Sequence, residues 1–113
     1  MRLPHAERAV VDEVKIREYL LAAEHPVGRF KAAFFRTLGY TPADWHHLQQ
    51  SLLAHARSVD AIPDSTSAYG QKFRIRAILQ GPSGRSALVV SIWIIRPGDD
   101  LPRFVTAFPG DSR

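Results

Sequence analysis

With 113 residues, 45% of them hydrophobic and 23% charged, the chain suits one compact domain, is too short for two, and is too apolar to be disordered throughout. The absence of cysteine excludes a disulfide framework, a thiolate nucleophile and any Cys-ligated zinc or iron–sulfur site, and no apolar run approaches the roughly 20 residues that span a bilayer. A formal charge of +4 and a pI near 10.0 point to a polyanionic partner more than to an acidic protein, though both fit.

The first element to emerge is Ala9-Val10-Val11, a short β-branched run suited to an edge strand or a packed lead-in. Asp12 can cap a helix whose Ile16, Tyr19, Leu20 and Ala23 share one face. Pro26 and Gly28 interrupt it. A second helix follows with Phe30, Phe34 and Leu38 at i, i+4 and i+8, and Gly39 as its stop. Thr41-Pro42-Ala43-Asp44 then reads as a hydroxyl cap, proline at the first helical position and an acid at the third, opening a helix that buries Trp45, Leu48, Leu52 and Ala56 and frays near Arg57.

Ser58 to Ala68 is polar and contains Pro63, which predicts a surface connection. From Tyr69 the period changes to two. Phe73, Ile75, Ala77 and Leu79 alternate with polar residues, and Gly81-Pro82-Ser83-Gly84 turns the chain. Ser86 to Ile95 is apolar on both faces, as a central strand is. Arg96 to Asp100 makes another turn, and Arg103 to Phe108 a last strand ending at Pro109. Helices followed by a meander define the α+β class: N-terminal helices packed on a C-terminal antiparallel sheet of three to four strands, as one domain over 1–113.

The charge is uneven. Five cations and five acids balance between Met1 and Phe30, whereas from Ser65 onward seven Lys and Arg face Asp99, Asp100 and Asp111. Lys72, Arg74 and Arg76 fall on one side of a strand. They could follow a nucleic-acid backbone, and equally could guard an edge strand from aggregation. His25 precedes Pro26, which places an imidazole on a loop at the start of the second helix. There it could act as general acid or base, or simply bond the open N–H groups of that helix. Arg29 and Lys31 lie in that helix's first turn, where the macrodipole favours anions; a solvated helix face is the plainer account. Ser91 and Thr106 put hydroxyls on apolar strands, able to bond a phosphate or to be satisfied inside the core, and Tyr69 could stack on a base or merely end its loop. His46, His47 and His55 read as surface histidines with no metal-ligand spacing, so no metal or cofactor is expected. Met1-Arg2-Leu3-Pro4-His5 has no apolar signal core, which makes the cytoplasm the expected location.

The runs Lys15 to Leu21, His25-Pro26-Val27-Gly28-Arg29-Phe30-Lys31-Ala32, Phe35 and Leu38-Gly39-Tyr40 carry a resemblance. So do Tyr69-Gly70, Gly81 to Gly84, Trp93, and Pro102 to Ala107 closing at Pro109. Together they resemble a bacterial domain family of unassigned function, found as stand-alone small proteins and as C-terminal modules of polymorphic toxins. Its order of helices then sheet looks like the barnase, EndoU, colicin and RelE-type superfamily of metal-independent ribonucleases. Many toxin relatives carry threonine two residues before the tryptophan; Ser91 keeps a hydroxyl there. The resemblance implies a ribonuclease-like toxin of a toxin–antitoxin or polymorphic-toxin system, with RNA as substrate and an antitoxin or immunity protein as partner. Its expected catalytic residues are His25, Lys31 and Thr106, and its substrate contacts Arg29, Tyr69, Lys72, Arg74, Arg76 and Ser91. The alternatives are a non-catalytic interaction domain serving an adjacent-gene partner, with Asp99 and Asp100 at its interface, and an RNA-binding module that does not cleave.

Overall fold

The computed structural model describes residues 1–22 and 29–110. Among these, helical segments come first and a four-stranded antiparallel meander follows, in the spatial order β1-β2-β3-β4. The strands are β1 (Ile62–Ser67), β2 (Gly70–Gln80), β3 (Ser86–Ile95) and β4 (Arg103–Pro109). This is the α+β layout that the change from helical to strand periodicity implies.

β3 pairs on both sides, so its residues 89–93 are all buried. β2 places Phe73, Ile75, Ala77 and Leu79 on the face covered by helices, and register puts Trp93, Ser91 and Val89 beside the first three. α3 (Trp45–Ser58) lies across this face and contributes Leu48, Leu52 and Ala56 to the core, the stripe its spacing predicts. Lys72, Arg74, Arg76 and Ile78 point the other way, onto a face where Ile78 is 62% exposed.

Several local details depart from the sequence expectation. The first helix is short: α1 (Glu13–Lys15) passes directly into a π-helix, Ile16–Leu20, and the Asp12 side chain makes no capping bond. The buried stripe of α2 (Arg29–Thr37) is Ala32 and Phe35, continued by Leu38, with Phe34 half-buried beside it. Before α3, Pro42–Asp44 forms a 3₁₀ turn, and the Thr41 hydroxyl bonds the Asp44 carboxylate at 3.0 Å rather than a backbone N–H. The supposed connection between Ser58 and Ala68 contains β1, a fully exposed edge strand with no apolar alternation to betray it. Val10 makes a single parallel bridge to Arg103 while Val11 is buried. The expected hinge at His25, Pro26 and Gly28, and Ala23 of the first helical face, lie outside the described residues.

The β2–β3 turn anchors α2 onto the sheet. Ser83 donates to the Leu38 carbonyl through both its backbone N–H (3.1 Å) and its hydroxyl (2.9 Å). Gly81 lies so close that a Cβ there would sit 2.0 Å from that same carbonyl oxygen. Gly81→Ala is therefore expected to destabilise the fold by about 1–3 kcal/mol, the usual cost of overpacking, read as a lowered urea midpoint at unchanged slope.

Candidate functional site

Lys31 sits in the first turn of α2, and α2 packs against β4. Its ammonium donates to the Thr106 hydroxyl at 2.8 Å and to the Tyr19 phenol oxygen at 2.6 Å; the two oxygens are 3.4 Å apart. Three segments distant in sequence thus meet: the π-helix, the start of α2 and the edge strand β4. The ammonium also lies 5.0 Å from the Tyr19 ring centroid and 6.0 Å from that of Phe108, while Lys15 lies 6.0 Å from the Tyr19 ring. A cleft of about 620 Å³ opens at this point, lined by Val14, Lys15, Glu18, Tyr19, Val105 and Thr106.

The phenol of Tyr19 is perturbed. Burial alone would raise its pKa, but hydrogen bonds from Lys31 and Thr106 and the charges of Lys31 and Lys15 outweigh burial and hold it below the ordinary 10.0. Tyr19 is the member of the cluster that sequence reading assigned to the core. The one signal available was Lys15 four residues before it, a spacing that brings a cation to a ring on a helix.

The β4 register decides where the strand cations stand relative to this cluster. A bulge at Val105, between the Ile92–Thr106 and Trp93–Phe104 pairs, turns Thr106 onto the face opposite the helical core. Arg74, Ile92 and Thr106 then form one cross-strand row, and Arg76, Val90 and Phe108 the next. Two strand spacings, roughly 10 Å, separate the Arg74 backbone from that of Thr106. A second cleft of about 400 Å³ on this face is lined by Ile62, Arg74, Arg76, Val90, Phe108, Pro109 and Gly110. Phe108 borders both places, because Lys31 approaches its ring. The Arg76 guanidinium is steadied by the Gly110 carbonyl at 3.2 Å.

The remaining candidates separate. Lys72 shares a row with Ile94 and Arg103, and Arg103 is paired with Asp99 at 3.3 Å. Arg29 is exposed two residues before Lys31, a spacing that puts the two side chains on different sides of the helix. Tyr69 is 80% exposed in the β1–β2 turn, five residues and so roughly 17 Å along the chain from Arg74. His25 lies outside the described residues.

Ser91 belongs to the core. It is fully buried, receives the Trp93 indole N–H at 2.8 Å and lies 2.8 Å from His55 Nδ1. His55 is not a surface residue as its sequence context suggested, but 2% exposed, whereas His46 and His47 are exposed. Its Nε2 faces the carbonyls of Ala77 and Val89 at 3.0 and 3.1 Å. Carbonyls only accept, so Nε2 carries the proton and Nδ1 accepts from the Ser91 hydroxyl. Every polar atom of the Trp93–Ser91–His55 chain is satisfied with a neutral imidazole, so of the two readings open to Ser91 its contacts are those of a hydroxyl satisfied inside the core.

Burial lowers the His55 pKa below 6.5, against the smaller opposing effect of its two carbonyl partners. The unfolded chain therefore takes up this proton first. His55 favours folding fully above about pH 6.5, and the contribution is lost as pH falls toward the depressed folded value. Thermal melts below pH 6.5 should show stability falling with acidity, with a shallower dependence in His55→Gln.

Among the described residues no three His, Asp or Glu side chains gather as a metal centre requires, and no helix is long and apolar enough to cross a membrane. Fold and cluster define a small α+β domain with a lysine–tyrosine–threonine site at the edge of its sheet. The chain belongs to the family described as Domain of unknown function (DUF6883), which matches residues 2–111. Its fold is similar to that of a chain in a contact-dependent growth inhibition toxin–immunity protein complex from Klebsiella pneumoniae 342. The likeness has a TM-score of 0.71 and 22% identity, and covers 95% of this chain and 97% of that one. No curated protein matches the sequence.

Proposed function

We propose that the protein is a ribonuclease-like toxin of the cytoplasm, which cleaves RNA by attack of the 2′-hydroxyl on the adjacent phosphate. The observation that carries this reading is the meeting of Lys31 with Thr106 on the sheet face that also bears Arg74 and Arg76. In such a reaction the O2′–P bond forms, the P–O5′ bond breaks, and negative charge builds on the non-bridging oxygens. A preorganised ammonium answers that charge best, and Lys31 is held by the hydroxyl oxygens of Tyr19 and Thr106, two residues that line the cleft. Arg74 and Arg76 extend the positive surface for neighbouring phosphates. His25 stands in the chain between the segments carrying Tyr19 and Lys31, and the reading assigns it the proton of the 2′-hydroxyl. The likeness to a chain of a toxin–immunity complex supports a place in a toxin system with a cognate partner protein.

A second reading has its own observation. Ile62 and Ile78, exposed by 52% and 62%, share the basic face, and such a mixture suits a protein partner. Asp99 and Asp100 favour it less, being engaged by Arg103 and Arg8. Incubation of purified protein with tRNA and total RNA in EDTA, beside His25→Ala and Lys31→Met, separates the readings. Cleavage by the wild type that both variants lose is the expected result. Intact RNA in every lane removes the nuclease reading, and salt-sensitive RNA binding without cleavage would leave a binding module.

A further inference from the structure

We infer that Tyr19 is the general acid of the site, donating its phenolic proton to the 5′-oxygen that leaves phosphorus. This rests on the nuclease reading above and adds to it the one proton transfer that reading leaves unassigned.

Four observations converge on Tyr19. It is carried by a five-residue π-helix, Ile16–Leu20, in place of a regular α-helix. Such insertions are uncommon and occur disproportionately at functional sites, because they re-aim a side chain that helical geometry would direct elsewhere. The side chain lines the same cleft as Thr106. The phenol oxygen accepts from the Lys31 ammonium at 2.6 Å, so its own proton is directed away from Nζ. Thr106, whose oxygen also accepts from Lys31, keeps its hydroxyl hydrogen available for the phenol 3.4 Å away.

That arrangement suits an acid. Once the proton has left, the phenolate faces a charge-assisted bond from Lys31 and a second donor in Thr106, so its conjugate base is stabilised before the reaction begins. The lowered pKa of the group agrees with this geometry. The step balances. O2′ loses its proton to His25 as the O2′–P bond forms, the P–O5′ bond breaks, and O5′ receives the Tyr19 proton. The products are a 2′,3′-cyclic phosphate and a 5′-hydroxyl. Exchange with water returns both groups to their starting forms.

The test compares wild type with Tyr19→Phe on two RNA substrates, one ordinary and one with a bridging sulfur at the scissile 5′ position. A thiolate leaves without protonation, so an acid is needed only on the oxygen substrate. Tyr19→Phe keeps the ring, and equal melting temperatures verify its fold. The expected result is a loss on the order of 10²-fold or more on the oxygen substrate and only a few-fold loss on the sulfur substrate. Equal losses on both substrates would make Tyr19 a positioning residue and overturn the assignment, as would full activity of the variant on both. Wild-type protein inert toward both substrates would bring down the nuclease reading itself, which is a separate outcome.

Discussion

Lys31→Met is expected to lower RNA cleavage by about 10²–10³-fold while leaving the fold intact. Methionine preserves the length and apolar stem of the side chain, so packing beside the Tyr19 and Phe108 rings persists. What disappears is the charge and both hydrogen bonds, to Tyr19 at 2.6 Å and to Thr106 at 2.8 Å. Because Lys31 is only half-buried, the stability change should stay within about 1 kcal/mol. One spectroscopic consequence is independent of activity. Without Lys31 the Tyr19 phenol should titrate closer to its ordinary 10.0, which ultraviolet difference titration against Tyr19→Phe can follow. A variant that cleaves at the wild-type rate would end the role given to the ammonium.

Trp93→Ala carries the largest expected cost to stability, about 3–5 kcal/mol, measured as a fall in the denaturation midpoint. Trp93 is fully buried on the central strand, its ring edge-on to Phe104 at 5.4 Å. Its indole N–H ends the hydrogen-bonded chain through Ser91 to His55, so truncation both opens a cavity and removes a donor from a buried hydroxyl. Small domains hold only about 5–15 kcal/mol in total, so this one change should consume a large part of it. A shift below about 1 kcal/mol would mean that the core is not organised around this strand.

The pairing of α2 with the sheet shows how far local pattern reaches. Gly39 is legible as the stop of α2 because an apolar stripe ends before it, and in the structure its backbone lies at φ 100°, where glycine is favoured. That the β2–β3 turn then bonds the Leu38 carbonyl is not legible, since nothing local links residues 38 and 83. β1 is illegible in the sequence for a related reason. An exposed edge strand buries neither face, so no alternation marks it, and only pairing with β2 defines it. From sequence His55 reads as a surface residue, and Ser91 as either a phosphate contact or a core hydroxyl, because a polar residue near an apolar stripe is compatible with either surface or core. Its burial depends on partners supplied by other strands.

Composition and periodicity by themselves determined the α+β class, the helices-then-meander order, the central position of β3 and the row of cations on β2, because these follow from residue type and spacing along one segment. The tertiary structure alone decided that Lys31, Thr106 and Tyr19 touch, and that a bulge at Val105 turns Thr106 toward the side bearing Arg74. Contacts between residues 75 or 87 positions apart depend on strand register and helix docking. Those are set by the packing of the whole core, and no short stretch of the chain contains them.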